Sequence, residues 1–368
     1  MKNKGIIKVS AFILALIMML AASSCGKKDI PEEDTHKADK ELETSSLDIN
    51  LEDMEPEFVN PLTGLASSKD ISDRRPLAIM LNNIYQALPQ VGIREADVLF
   101  ECLAEGGITR LMGVFADYDE LGIIGSVRSA RPYYIDFAQM FDAIYCHAGG
   151  SEDAYGEMAS RGIDHIDGVR GDPLGVYYRD QVRMQTMSFE HTLMTTGEGL
   201  IKTVEYCNFR TTLRDSHSYP WELAAFGQKA EIGSDETTHI YLPVSNYQTV
   251  DYYYDDETAE YLRFQYNGEK HIDGETGEQL SFKNVIILFC DTWVYDDYGR
   301  LKVTTTGEGS GYLASEGRYA KITWTRDSRE GDLTIKNSLT GEKIIVNRGK
   351  TMINVCPLAV ESQVVFEK

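Results

Sequence analysis

The segment Ala143-Ile144-Tyr145-Cys146-His147-Ala148-Gly149-Gly150-Ser151 holds three structural signals in succession. Ala143 to Cys146 is a short apolar run with the length and composition of a buried strand. Gly149-Gly150 turns the chain. Ser151 is placed to cap a helix over about Glu152 to Ser160, by accepting a free backbone N–H of its first turn. Strand, glycine turn and helix make one unit of α/β alternation. The pattern continues towards the N-terminus. Pro132 suits the first residue of a helix through about Phe141, where its missing N–H costs nothing. Leu77 to Leu81, Val98 to Leu103 and Ile108 to Phe115 are strand candidates, the last two separated by Ala104-Glu105-Gly106-Gly107. Downstream, Asp164 to Glu190 is irregular. Thr195-Thr196-Gly197-Glu198 has the form of a capping box with Thr195 as cap, opening a helix towards Tyr206.

From about Thr237 the texture changes. Tyr241, Tyr247, Tyr252, Tyr253, Tyr254, Tyr261 and Tyr266 crowd together, and Tyr261-Leu262-Arg263-Phe264-Gln265-Tyr266 alternates with period two. Asn267-Gly268 and Asp273-Gly274 are turn signals. Val285 to Phe289, Leu301 to Thr306, Tyr319 to Trp324, Leu333 to Lys336, Lys343 to Val346 and Met352 to Val355 read as further short strands. The fold class expected is α+β: an N-terminal α/β domain over 58–210, a linker over 211–236, and a β-rich C-terminal domain, a small barrel or sandwich, over 237–368. A body of about 310 residues is large for one core and fits two domains.

The first residues carry a different message. Lys2, Lys4 and Lys8 precede an apolar run from Ala11 to Ala22, closed by the small residues Ala22, Ser23 and Ser24. That order is a secretory leader, too short to span a bilayer as a helix. Leu20-Ala21-Ala22-Ser23-Ser24-Cys25 has the form of a bacterial lipobox, with Ala22 where Leu is commoner. Residues 1–24 therefore read as a lipoprotein signal peptide and Cys25 as the lipidation site, carrying a diacylglyceryl group and palmitate-type chains. The alternative is an ordinary cleaved leader followed by an incidental cysteine. Two or more acyl chains suffice for stable anchoring, so the expected location is the extracytoplasmic face of the cell membrane. Residues 25–57, acidic and poor in large apolar side chains, read as a flexible tether.

The formal charge is −22, and removing Lys2, Lys4 and Lys8 makes it more negative. Such a surface argues against nucleic acid and against electrostatic docking on anionic lipid. Cys102, Cys146, Cys207, Cys290 and Cys356 match no zinc or redox spacing. Four of them, all but Cys207, lie in or beside apolar runs, which favours buried free thiols over a disulfide framework.

Several motifs occur in a fixed order: Arg75-Pro76 before Leu77-Ala78-Ile79-Met80, Glu105-Gly106-Gly107-Ile108-Thr109-Arg110, Gly125-Ser126-Val127-Arg128-Ser129-Ala130-Arg131-Pro132-Tyr133 and His147-Ala148-Gly149-Gly150-Ser151. With His271-Ile272-Asp273, Asn284-Val285, Gly307-Glu308-Gly309 and Gly349-Lys350-Thr351, the chain resembles the YerB-like lipoproteins from about Asn60 to Pro357. The resemblance implies a lipid-anchored, extracytoplasmic, two-domain protein of unknown function and no established reaction. Phe189-Glu190-His191-Thr192 departs from it, where Pro or Ala before the His and Asn after it would be expected.

Arg128 and Arg131 are the first candidates for chemistry. They flank the start of the Pro132 helix, so guanidinium groups and free first-turn N–H groups would meet on one phosphate or carboxylate. Ser129 lies between them, and Arg110 adds charge. The competing reading is an internal network in which Glu101, Glu105 or Asp136 neutralises these arginines. His147 with Glu101 or Glu105 could supply an acid–base pair. A triad of Ser151, His147 or His191, and Asp136 lacks the Gly-x-Ser-x-Gly context, and those histidines with Asp136 have no metal-ligand spacing. The tyrosines and Trp293 of the second half are suited to stacking on sugar rings, or to ordinary half-exposed strands. Two functions follow as expectations. The first is a non-enzymatic envelope protein binding an anionic group of a wall polymer, muropeptide or envelope protein through Arg128 and Arg131. The second is an envelope hydrolase or transferase using Glu101 or Glu105 with His147. Neither calls for a metal or cofactor.

Overall fold

The computed structural model describes residues 55–368. The leader, Cys25 and most of the acidic tether lie outside the described residues. In the first half, strands β1 (Leu77–Asn82), β2 (Val98–Leu103), β3 (Thr109–Phe115), β4 (Ile144–His147) and β5 (His165–Asp167) accompany helices α1 (Pro132–Gln139), α2 (Glu152–Arg161) and α3 (Gly197–Tyr206). In the second half, β6 (Asp235–Glu236), β7 (His239–Leu242), β8 (Val250–Asp255), β9 (Glu260–Gln265), β10 (Glu269–Lys270), β11 (Asn284–Cys290), β12 (Gly307–Ser315), β13 (Arg318–Arg326), β14 (Thr351–Pro357) and β15 (Val365–Glu367) follow, with shorter strands between them. The protein is mostly sheet with three α-helices among the described residues. That is an α+β fold. Parallel strand–helix–strand alternation is seen in β4–α2–β5, whereas β1, β3 and β2 are antiparallel neighbours.

One sheet runs through both halves in the order β6-β13-β12-β11-β14-β2-β3-β1-β4-β5, with Thr334–Asn337 added beside β13. The junction is the parallel pairing of β2 with β14, from Val98 opposite Thr351 to Cys102 opposite Val355. Because successive side chains point to opposite faces, the sheet builds two cores. One face, with Met80, Phe100, Met112, Ile286 and Ile353, packs on α1 and α2 through Tyr134, Phe137 and Met158. The other, with Ile79, Leu99, Leu111, Ile287 and Met352, lies under α3 and a second sheet of order β10-β9-β8-β7-β15, which contributes Ile240, Val250, Tyr252 and Tyr261.

Local chemistry sets the helix starts. Pro132 is at the first helical position of α1. Ser151 caps α2, its hydroxyl accepting from the Ala154 N–H at 3.2 Å, and Gly162 closes the helix with φ 60°. Ser151→Ala is therefore expected to cost about 1 kcal/mol of stability, measured as a lowered urea midpoint at unchanged slope. The cap of α3 corrects the sequence reading: it is Thr196, accepting from Gly199 N–H at 3.1 Å, and not Thr195. The strand Leu193–Thr196 pairs with Ile123–Gly125 as far as Thr196, so Thr195 is still extended and its hydroxyl donates to the Val176 carbonyl at 3.2 Å. Glu198 pairs with Lys202 instead of reaching back to the cap. All five cysteines of the described residues are free, and only Cys207 is not fully buried. Among the described residues no helix is long and apolar enough to cross a membrane.

Candidate functional site

The parallel strands β1, β4 and β5 end together at Asn82, His147 and Asp167. The turn Glu105–Gly107, between β2 and β3, lies at the same end because β3 runs antiparallel to β1 and starts there, Arg110 opposite Asn82. In open sheets the carboxyl ends of parallel strands are where ligands are most often held. Residues 127–131 cross these ends. The Arg128 N–H donates to Met80 O at 3.0 Å, the Ala148 N–H to Arg128 O at 3.0 Å, and the Ala130 N–H to Gly149 O at 2.9 Å. That backbone lacing, with the turn after β4, brings Arg128, Ser129, Arg131, Arg110, Glu105 and His147 to one end of the sheet.

Glu105 is the hub. Its Oε1 accepts from Arg131 Nε at 2.5 Å and its Oε2 from Arg110 Nη2 at 3.2 Å. Burial would raise the Glu105 carboxyl, but the guanidinium groups of Arg131 and Arg110 outweigh burial and hold it below the usual carboxylate range. Arg110 is itself buried, and that burial, reinforced by the nearby charge of Arg131, pulls it down to about 10. Its Nη1 donates to the backbone carbonyl of Ser129 at 3.0 Å, so Ser129 contributes its peptide oxygen. Arg128 has a different partner, Glu190 Oε2 at 2.9 Å, and the Glu190 side chain is 56 % exposed against 21 % for Arg128. Next to Glu190, His191 is buried, its Nδ1 accepting from Asn82 Nδ2 at 3.0 Å. Three guanidinium groups thus share two carboxylates.

His147 is locked. Its Nδ1–H donates to Gly149 O at 2.8 Å, and its Nε2 stands 3.0 Å from His165 Nδ1. Burial pushes its pKa down to about 4. Asp167, at the end of β5, accepts from the Gly149 N–H, the Val169 N–H and the Tyr155 hydroxyl at 2.7, 2.9 and 2.6 Å. No hydrogen bond joins His147 to Glu101 or Glu105 among the described residues.

Glu101 lies on the other face of the sheet from Arg110, opposite Leu111 and beneath the second sheet. Its Oε1 accepts from Thr109 Oγ1 at 2.6 Å, Asn83 Nδ2 at 3.0 Å and Gln248 Nε2 at 3.1 Å, and its Oε2 from Arg263 Nη2 at 2.5 Å. Glu101 and Arg263 are both fully enclosed. Arg263 also reaches His271 Nδ1, and His271 Nε2–H donates to Gln90 Oε1 at 2.9 Å. Asp136 is likewise elsewhere: it pairs with Arg161 at 2.7 Å and Arg329 at 2.9 Å, and accepts from Thr305. Of the three carboxylates weighed as partners for the arginines, only Glu105 takes that role. Among the described residues no group of His, Cys, Asp and Glu is arranged to hold a metal ion.

Glu190, Asp167, His165 and Tyr155 were not singled out from sequence. Glu190 lies in an irregular stretch, and nothing local connects it to a position 62 residues away. Arg263 carried a signal: the alternation through Tyr261 places Tyr261, Arg263 and Gln265 on one face, and that face is the buried one.

Comparison with known proteins agrees with this architecture. The family described as "Protein of unknown function (DUF3048) N-terminal domain" matches residues 62–210, and its C-terminal domain matches residues 240–353. The chain is 27% identical over 304 residues to "Putative lipoprotein YerB" of Bacillus subtilis (strain 168), covering 81% of this chain and 86% of that protein. It is similar to the crystal structure of the YerB protein from Bacillus subtilis with a TM-score of 0.71 and 26% identity, over 84% of this chain and 99% of the other.

Proposed function

The chain belongs to the two-domain DUF3048 family of unknown function, and from that premise we propose a lipid-anchored, non-enzymatic binding protein of the bacterial cell envelope. It recognises an anionic group, a wall-polymer phosphate or a peptide carboxylate, at the carboxyl end of its central sheet. Cys25 carries the anchor. The tether that follows holds the body off the extracytoplasmic face, and the lipoprotein name of the Bacillus relative agrees with that placement.

The observation that carries the reading is the pairing of Arg128 with Glu190. Arg110 and Arg131 are committed to Glu105, whereas the carboxylate on Arg128 is exposed and held by a single hydrogen bond. An exposed pair of this kind contributes about 0–1 kcal/mol, so an incoming anion displaces Glu190 at little cost. It then meets a guanidinium beside Arg110 and Arg131, whose two positive charges share the one carboxylate of Glu105. The acid–base alternative receives no comparable support, since Glu105 and His147 have their hydrogen bonds committed elsewhere.

Arg128→Ala is expected to weaken binding of anionic wall polymer or muropeptide at least tenfold while leaving the urea midpoint nearly unchanged. Glu190→Gln, which removes the competing carboxylate, is expected to tighten it. Equal affinities for the native protein and Arg128→Ala would remove the anion site. Mass spectrometry of the membrane fraction tests the anchor independently, through acyl mass on Cys25.

A further inference from the structure

A second site lies away from these arginines. Thr292-Trp293-Val294 pairs antiparallel with Leu301-Lys302-Val303, Trp293 opposite Lys302, as a two-stranded ribbon outside both large sheets. Asp296 fixes its turn by accepting from the Tyr298 and Arg300 N–H groups at 3.1 and 3.0 Å. The Tyr295 hydroxyl ties the ribbon to α2 by donating to Asp153 at 2.5 Å. Trp293 remains 49 % exposed, whereas Trp221 and Trp324 are 4 % and 2 % exposed. Between ribbon and helices runs an open groove of about 590 Å³, within the range of small-ligand sites, lined by Trp293, Tyr295, Asp153, Glu157, Lys302 and Gly156.

Gly156 is the independent observation. It stands in the interior of α2, where glycine is unfavourable relative to alanine. A Cβ there would meet nothing within 4 Å. Packing therefore does not require a glycine at this position, yet its missing side chain keeps the groove floor open. We propose that the groove between the Trp293 ribbon and α2 binds a neutral saccharide, a hexose or N-acetylhexosamine chain, with a sugar ring on Trp293 over the bare turn at Gly156. Indole is a broad apolar plate with one polar edge, matched to the C–H face of a pyranose. Asp153, which accepts from Tyr295, and Glu157, which pairs with Arg329 at 2.6 Å, keep lone pairs that accept hydroxyl hydrogens, and Lys302 donates to ring and hydroxyl oxygens. Carboxylates and cationic side chains both line the groove, which disfavours a strongly charged ligand of either sign and fits a polyol.

The test uses the purified full chain and short chito-oligosaccharides. Trp293 is the one tryptophan of the three that is open to solvent, so acrylamide quenching of tryptophan emission reports on the groove. Chito-oligosaccharide is expected to shield that emission saturably. Trp293→Ala is expected to weaken binding at least tenfold by calorimetry. Gly156→Gln is expected to abolish binding while keeping or raising the melting temperature, and Arg128→Ala to leave it unchanged, which separates this site from the anion site. Unaltered quenching at millimolar sugar, equal affinity in Trp293→Ala, or binding only of charged muropeptides would overturn the proposal. So would unfolding of Gly156→Gln, because the glycine would then serve the fold.

Discussion

Arg263→Met is expected to lower the free energy of unfolding by about 3–5 kcal/mol, the cost of leaving a buried carboxylate without its counter-ion. Glu101 and Arg263 are both fully enclosed. Burial works against the Arg263 charge, but Glu101 and the Tyr252 hydroxyl more than offset it and raise the guanidinium above its usual range. Glu101 belongs to β2 and Arg263 to β9, so the pair joins the two family domains, and with it go Asn83, Gln90, Gln248 and His271. Urea unfolding read by far-UV circular dichroism and by tryptophan emission checks the effect. The native protein is expected to show coincident transitions, because β2 and β14 share a sheet. The double variant Glu101→Leu, Arg263→Met is expected to recover part of the loss, since replacing both partners of a buried pair by apolar groups is often close to neutral. A single-variant loss under 1 kcal/mol would show that water reaches the pair.

Acid is expected to destabilise the protein from about pH 6.5 downward through His147. Its folded pKa is depressed to about 4 by burial, so below 6.5 the unfolded chain takes up a proton that the folded chain refuses. Stability therefore falls with pH by up to ~1.4 kcal/mol per unit, roughly 3 kcal/mol in all by pH 4. His271 adds to the same trend, held well below its usual value first by burial and then by Arg263. Asp97 opposes it. Burial raises its carboxyl to about 6, so the folded state binds that proton first and gains stability as pH falls from 6 towards 3.8. Below about pH 6 the Asp97 gain offsets most of the His147 loss, so His271 carries much of the net fall and the His147 contribution is read by difference. Unfolding free energies measured across pH 7 to 4 should show His147→Gln with a slope shallower by about one proton. Identical slopes would mean that His147 is not held neutral.

The strands and caps were legible where local rules govern. Val98–Leu103 is a strand over the residues expected, Pro132 starts α1 and Ser151 caps α2. In each case a side chain and its near neighbours contain the whole argument. What could not be read was pairing. Nothing around Val98 says that Thr351 lies beside it, and nothing near Arg128 says that Glu190 meets it. The alternation through Tyr261 gave the period of β9 but not its phase. Leu262 and Phe264 are half-exposed while Arg263 is enclosed, because Glu101, from a distant strand, supplies the counter-charge that makes burial of an arginine tolerable. The arginine cluster was visible as a group of types. Its division into two committed members and one loosely held depends on which carboxylates the fold delivers.

The pairing of β2 with β14 also orders events in time. An exported chain crosses the membrane N-terminus first, so Val98–Leu103 reaches the outer face roughly 250 residues before the strand that covers its flank. Until Thr351–Pro357 arrives, that flank is an uncovered row of amides and carbonyls, the kind of surface on which chains adhere to one another. The emerging chain would then need a holding partner for most of its passage across the membrane. Prematurely terminated products, missing only the last strands, would be clumping or proteolysed species rather than folded domains.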